Sequence, residues 1–408
     1  MKKIWIWLTA TVMMAGLLAG CAASGTAETF DPSADFDAIK SQAEGTTVTF
    51  YGWGGDEQRN TWLDTVVTPE VKEKYGITLV RVPMDIDQIL AKLTAEKQAG
   101  EEKGSVDMIW INGENFYSAR ENGLLFGPFA QYLPNYQTYV DADADENQLD
   151  FGYPIDGYEA PYSKAQMVLI ADGAKTPEMP ANTAELLEFA KKYPGQVSYP
   201  APPDFTGSAF VRNVIYDIVG YEVFTDMEAD KETVREAVMP AMEYLRTLNP
   251  YLWNEGKTFP ATSTEADNMF ADGELLLSMS YNPYSVAVNI EKGIYPDTAR
   301  SFLFDSGTIG NTNYIAIADN SQNKAGAMIV INELLSAGMQ LSQYTDLKAL
   351  PVLDETKLSD TEKALFEAVD TGEGTIAQSG LLSARLPEMP SSLIPLIEEI
   401  WEEEVVGR

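Results

Sequence analysis

The 408-residue sequence predicts an α/β fold in two lobes, and three observations carry that prediction. Apolar, strand-like stretches recur at Thr47–Tyr51, Ile77–Val82 and Val106–Ile111, with helical patterns in the gaps. Ile86, Ile89, Leu90 and Leu93 repeat at i, i+3, i+4 and i+7, the stripe of a helix buried on one face. After a loop-rich stretch from Gly127 to Asp156, a second strand and helix series begins. Strands alternating with helices imply right-handed crossovers and a parallel sheet. A chain of this length holds one large two-lobed body or two ordinary domains.

The first element is an address. Lys2 and Lys3 precede the apolar run Ile4 to Gly20, which ends in Leu18-Ala19-Gly20-Cys21. A charged start, a short apolar stretch and small residues at the cut describe a secretory signal over residues 1–20. The cysteine placed directly after Leu-Ala-Gly resembles the bacterial lipobox, which implies that Cys21 becomes the first mature residue and carries a lipid. Residues 21–44 open on small polar types and are expected to act as a tether. No later stretch approaches 18 uninterrupted apolar residues, so no other span is expected.

In the second series, Gln166–Ala171 reads as a strand, and Asn182-Thr183-Ala184-Glu185 opens a helix with a capping-box arrangement that ends at Tyr193-Pro194-Gly195. Val197–Tyr199 reads as a further strand. Phe210, Val211, Val214, Ile215, Ile218 and Val219 mark a buried helix, and Ser359 to Glu362 is a second capping box. The acidic run Asp141 to Asn147 departs from a calcium loop, since Glu146 stands where glycine is required and Gly152 where a bidentate glutamate belongs. A solvated acidic loop is the reading it supports.

Composition excludes several function classes. Acids outnumber bases 62 to 28, a formal charge of −34, which argues against nucleic acid as a partner. There are no histidines and one cysteine, so Ser-His-Asp and Cys-His machinery, His-ligated zinc and an intrachain disulfide are all ruled out. Neither a cofactor nor a metal is expected.

In open α/β sheets, ligands collect at the carboxyl ends of strands. Tyr51-Gly52-Trp53-Gly54-Gly55 and Asn112-Gly113-Glu114-Asn115-Phe116 fall at such ends. Asp204-Phe205-Thr206-Gly207-Ser208 precedes the Phe210 helix, and Tyr281-Asn282-Pro283 and Gly310-Asn311-Thr312-Asn313 follow strand-like runs. Each has a plain structural reading as well: the glycines as turns, Trp53 as core, Asn112 and Thr206 as helix caps. Together they supply aromatic faces, amide donors and acceptors, and helix N-termini, which suits a small polar molecule.

These motifs, with the lipobox and two lobes, resemble the bacterial extracellular solute-binding proteins of ABC importers. Tyr51–Gly55, Val106–Phe116 and Tyr199–Ser208 resemble the YnjB-like branch more closely, over roughly residues 45 to 405. The resemblance implies a type II periplasmic-binding-protein fold: a clamshell with a hinge of crossover segments. It places residues 45–157 with 278–311 in lobe 1 and 158–277 with 312–408 in lobe 2. Ala271-Asp272-Gly273-Glu274 and Leu275–Ser280 would re-enter the first lobe, and Asn323–Ala327 would return to the second. It implies a monomer outside the cytoplasm that hands a small-molecule ligand to a permease and its ATPase. Ligand-binding candidates are Trp53 and Gly54 on one lip, Asn112, Glu114 and Asn115 beneath it, and Thr206, Gly207 and Ser208 opposite. Tyr158, Glu159, Tyr162 and Gln166 lie at the first crossover, with Tyr281, Asn282 and Asn313 flanking the others.

Two chemistries are open for the ligand. Helix N-termini at Gly113 and Gly207 suit an anionic head, and Arg212 would pair either with that anion or with an acid of the protein. Trp53, Tyr158, Tyr162 and Tyr281 with Glu114 and Glu159 suit an organic cation. A small organic ligand with an aromatic, cationic or phosphorylated part, thiamine-like among others, ranks first, and an oligosaccharide second. An alternative of another class is a surface-anchored glycoside hydrolase using Glu114 and Glu159 as its two carboxylates.

Overall fold

Twelve strands order the described part of the chain, residues 30–406 of a computed structural model. The signal segment and Cys21 lie outside the described residues. The strands are β1 (Thr47–Gly52), β2 (Thr78–Pro83), β3 (Met108–Ile111), β4 (Leu125–Phe126), β5 (Leu149–Asp150) and β6 (Tyr153–Pro154), followed by β7 (Glu159–Gln166), β8 (Val168–Asp172), β9 (Leu277–Ser280), β10 (Ala299–Phe302), β11 (Thr308–Ala318) and β12 (Arg385–Leu386).

The first sheet runs β12-β11-β3-β1-β2, and β4 and β7 also pair with β11. As expected, β1 lies parallel to both β2 and β3. The sheet is mixed, however, because β11 runs antiparallel to β3 and β7. The second sheet, β10-β8-β9, is antiparallel throughout. β5 and β6 form a separate hairpin whose two-residue turn, Phe151-Gly152, has both residues at positive φ, as a primed hairpin turn requires.

This pairing corrects the lobe boundaries expected from the sequence. β9 and β10 bond to β8 and so belong with the second sheet, whereas β11 belongs with the first. The chain leaves the first sheet at Met167, between β7 and β8, and returns to it at β11. The Lys324–Leu334 helix packs on β1, on β11 and on the Phe36–Ala43 helix, so it too stands with the first sheet. Gly326 permits that approach, since a Cβ there would come within 2.6 Å of Val48. Apolar periodicity marks a strand as buried but does not name its partner, which is why the re-entry was misplaced. The C-terminal Ile394–Glu404 helix lies against the Lys231–Leu248 helix, in the core of the second sheet.

Other elements depart from expectation locally. The proposed tether contains a helix, Phe36–Ala43, capped by Asp35 and anchored by buried Ile39 and Ala43. Val197–Tyr199 is buried but is not a strand: Trp253 donates to the Val197 carbonyl, and no ladder forms. Asn182 caps the Thr183–Lys192 helix through Glu185 N–H at 2.9 Å, while the Glu185 carboxylate reaches Ala181 rather than completing the box. Ser359 and Glu362 form a complete capping box. Among the described residues no helix is long and apolar enough to cross a membrane.

Candidate functional site

β1 and β3 are neighbours in parallel register, Phe50 opposite Met108 and Tyr51 opposite Ile109, so both release their loops at the same sheet edge. The glycines after β1 answer to close approach. A Cβ on Gly52 would meet Trp110 Cβ at 3.2 Å, and one on Gly54 would meet Pro83 at 2.5 Å. Trp53 has its ring against Gly55 and is 57% exposed, which removes the core reading for this tryptophan. After β3, Asn112 occupies the N-cap position of the Gly113–Glu121 helix without capping it. Its Nδ2 instead donates to Asn313 Oδ1 at 3.0 Å, and Trp110 Nε1 reaches the same oxygen at 3.4 Å. Asn313 sits at a bulge in the β7–β11 pairing. Two predicted site residues, 201 positions apart, are thereby joined.

On the second-sheet side, Asp204 caps the Phe205–Val219 helix through Gly207 N–H at 2.9 Å. The helix thus starts one turn earlier than its apolar stripe, and Thr206 lies inside it rather than capping it. Gly207 packs so tightly that a Cβ would sit 2.1 Å from the Pro200 carbonyl oxygen. Ser208 Oγ donates to Glu398 Oε1 at 2.6 Å and accepts from Arg212 Nη1 at 2.6 Å. Arg212 pairs with Glu388 through Nε at 3.2 Å and Nη2 at 3.0 Å, both side chains nearly inaccessible. The acid that takes Arg212 is therefore Glu388. Tyr281 OH donates to the same Glu388 carboxylate.

The two sides meet. Phe151, in the β5–β6 turn, lies against Gly113 and has its ring 6.5 Å from Phe205, which in turn lies edge-on to Tyr281 at 4.9 Å. Glu114 remains open to solvent, yet enough protein surrounds it to push its carboxyl above the usual range; Glu398 and Glu388 push the same way and Arg212 opposes them. The start of the Gly113–Glu121 helix and the start of the Phe205–Val219 helix thus face one seam.

The crossover candidates sit differently. Tyr158 is half-buried with the Arg120 guanidinium 3.4 Å from its ring centroid. Glu159, Tyr162 and Gln166 line β7 in the interior. Tyr162 packs edge-on to Phe50 and Trp110, under Arg59, and Gln166 donates to Thr308 Oγ1 at 3.2 Å. A fully buried Glu159 is out of reach of a polysaccharide, which removes the Glu114–Glu159 hydrolase pairing. Asn282 holds a turn, its Oδ1 accepting from Tyr284 N–H at 3.1 Å. In the acidic run, Glu146 is engaged by Lys164 and Arg385, both at 2.6 Å. Among the described residues no cluster of three or more acids or thiols could hold a metal ion.

Three residues of the seam escaped the sequence reading, Phe151, Glu388 and Glu398, while Phe205 stood in a ligand-end motif but not among the binding candidates. Glu388 and Glu398 stand 176 and 190 positions from the residues they bond, beyond any local pattern. Two surface cavities, of about 250 and 470 Å³, lie elsewhere and include none of these side chains.

Residues 68–368 match the family model described as bacterial extracellular solute-binding protein. The chain belongs to that family. It is 38% identical over 345 residues to Protein YnjB of Escherichia coli K12, covering 82% of this chain and 87% of the relative. Its fold matches an ABC transporter protein from Clostridium perfringens at TM-score 0.63 and 20% identity, covering 88% of this chain and 99% of that one. A periplasmic thiamin binding protein matches at TM-score 0.58 and 16% identity, covering 88% and 96%. Type II periplasmic binding proteins therefore share this solute-binding protein's architecture. Its role is to bind a solute in transport, not to catalyse a reaction.

Proposed function

We propose that this protein is the solute-binding component of an ABC importer, tethered outside the cytoplasm by a lipid on Cys21, and that it closes two lobes around a small organic cation bearing an aromatic part. The observation that carries the ligand class is the charge of the seam. Arg212 is buried and already paired with Glu388 and Ser208, so it is screened from an incoming anion. Glu114 and Glu398 bring two acidic side chains to the seam, and the exposed rings of Trp53 and Phe205 supply faces for a cation or an aromatic ring. The thiamin binder among its structural relatives fits the same chemistry. Contacts made by both sides would favour the closed conformer, which a permease and its ATPase then discharge.

A thermal-shift panel of thiamine, thiamine phosphates, polyamines, sugars and phosphonates tests this reading. A bound cation at about 100 times its Kd should add about 2.7 kcal/mol of apparent stability. Glu114→Gln should weaken that response. In the wild-type protein the affinity should fall as pH is lowered, starting above the ordinary carboxylate range, because protonating Glu114 removes its charge. A shift with sugars or phosphonates but with none of the cations would overturn the ligand class.

A further inference from the structure

The ligand reading leaves unused the acidic run Asp141 to Asn147 and the β5–β6 hairpin that follows it. Asp143 and Asp145 face solvent, but Glu146 is half-buried and bonds two cations, Lys164 Nζ and Arg385 Nη1, both at 2.6 Å. These stand on strands that both pair with β11, Lys164 opposite Thr312 and Arg385 opposite Thr308. Arg385 lies over Gly310, where a Cβ would come within 2.5 Å of its Nε, so only glycine leaves it room. Both cations are largely buried, which makes the pairing stronger than one between exposed side chains.

Glu146 and Arg385 belong to different sides. Tyr314 OH, in the core of the first sheet, donates to the Glu146 backbone carbonyl, and Asp150 accepts the Gly113 N–H at 2.5 Å. Residues 146–152 are thus fixed to the first-sheet side. The chain around β12 is fixed to the other: Leu381 packs in one core with Val168 and Ile170, and Met389 in another with Leu169 and Leu277. A second tie follows further along both segments. Ser391 N–H donates to the Phe151 carbonyl at 2.8 Å, and Gly152 backs onto Pro390, where a Cβ would stand 3.3 Å away. Phe151 makes this tie at a φ of 47°, a conformation that bulky side chains avoid, which marks the turn as held by its partners.

We propose that residues 146–152 form a strap that ties the first-sheet side to residues 385–391 and holds the two sides together without a ligand. The Glu146–Arg385 pair is its electrostatic end and the Phe151–Ser391 bond its backbone end. The Glu146–Lys164 pair does not span the sides, because β7 is a strand of the first sheet. That the sides part and close rests on the function proposed above; the ties themselves do not. Such a strap limits how far the ligand-free protein opens, since both ends must let go before 385–391 can leave 146–152. The ion pair is the end that salt loosens.

The test is ligand-free and compares two substitutions. Arg385→Gln and Lys164→Gln each remove one cation from the same carboxylate, but only the first cuts a tie between the sides. Arg385→Gln should enlarge the radius of gyration in small-angle scattering. It should also accelerate amide exchange at residues 384–391 roughly tenfold, the scale of a lost charge-assisted hydrogen bond. Lys164→Gln should leave both readouts at their wild-type values, with exchange at residues 168–172 unchanged in either variant. Wild-type behaviour of Arg385→Gln, or equal changes in the two variants, would overturn the strap. If Arg385→Gln does not fold, the wild-type protein decides: exchange at 384–391 should rise about threefold between about 0.05 and 1 M NaCl. Rates independent of salt would overturn the electrostatic tie. A failed ligand panel leaves these readouts intact, so the strap and the ligand class fail separately.

Discussion

On the first-sheet side of the seam, Asn112 is fixed by a neutral amide bond to Asn313, and its helix start rests on one buried carboxylate. On the second-sheet side, Ser208 sits in a charged network of Arg212, Glu388 and Glu398 that ties three distant segments together. The first arrangement gives up one modest bond when a residue is removed. The second leaves an uncompensated charge inside the protein, because Arg212 and Glu388 are almost inaccessible. The sides therefore differ in what they risk: the charged side fixes the position of Phe205 and Tyr281 rigidly, while the amide side can lose a contact and stay folded.

Arg212→Met is the sharpest way to break that comparison. Removing one partner of a buried pair should destabilise the protein by about 3–5 kcal/mol, read from denaturant midpoints. Arg212→Met with Glu388→Met should recover much of the loss, since a well-packed apolar pair avoids the stranded charge. If the single substitution costs no more than a surface change, the network is not the anchor of this side. Next in size is Gly207→Ala, which drives a methyl into the Pro200 carbonyl and should cost about 1–3 kcal/mol by the same measurement.

Local chemistry was legible wherever a residue's role depends on its neighbours in the chain. The strand ends near Gly52 and Ile111 and the Ser359 capping box could be read from short motifs. What stayed hidden depends on partners far away. β9 carries the same apolar signal in either sheet, and only its bonds to β8 assign it. Glu388 and Glu398 are two acids among 62, with nothing nearby to single them out. Glu159 is a ligand candidate by its place at the first crossover, but β7 turns it inward, away from solvent. The zero-histidine composition excluded only histidine-dependent machinery and left a carboxylate hydrolase open.

The smallest expected effect tests the neutral side. Asn112→Ala removes the bond from Nδ2 to Asn313 and leaves the Asn313 oxygen with Trp110 Nε1 at 3.4 Å as its remaining donor. Asn112 is half-buried, so water can replace part of what is lost, and the stability change should be about 1 kcal/mol. The loop itself stays held through Gly113 and Asp150, which the substitution does not touch. The contrast with Arg212→Met is then a ratio of several-fold in stability, measured under one set of conditions. Should Asn112→Ala prove as costly as Arg212→Met, the amide pair would be part of the structural anchor, and the division into a rigid side and an adaptable side would have to be abandoned.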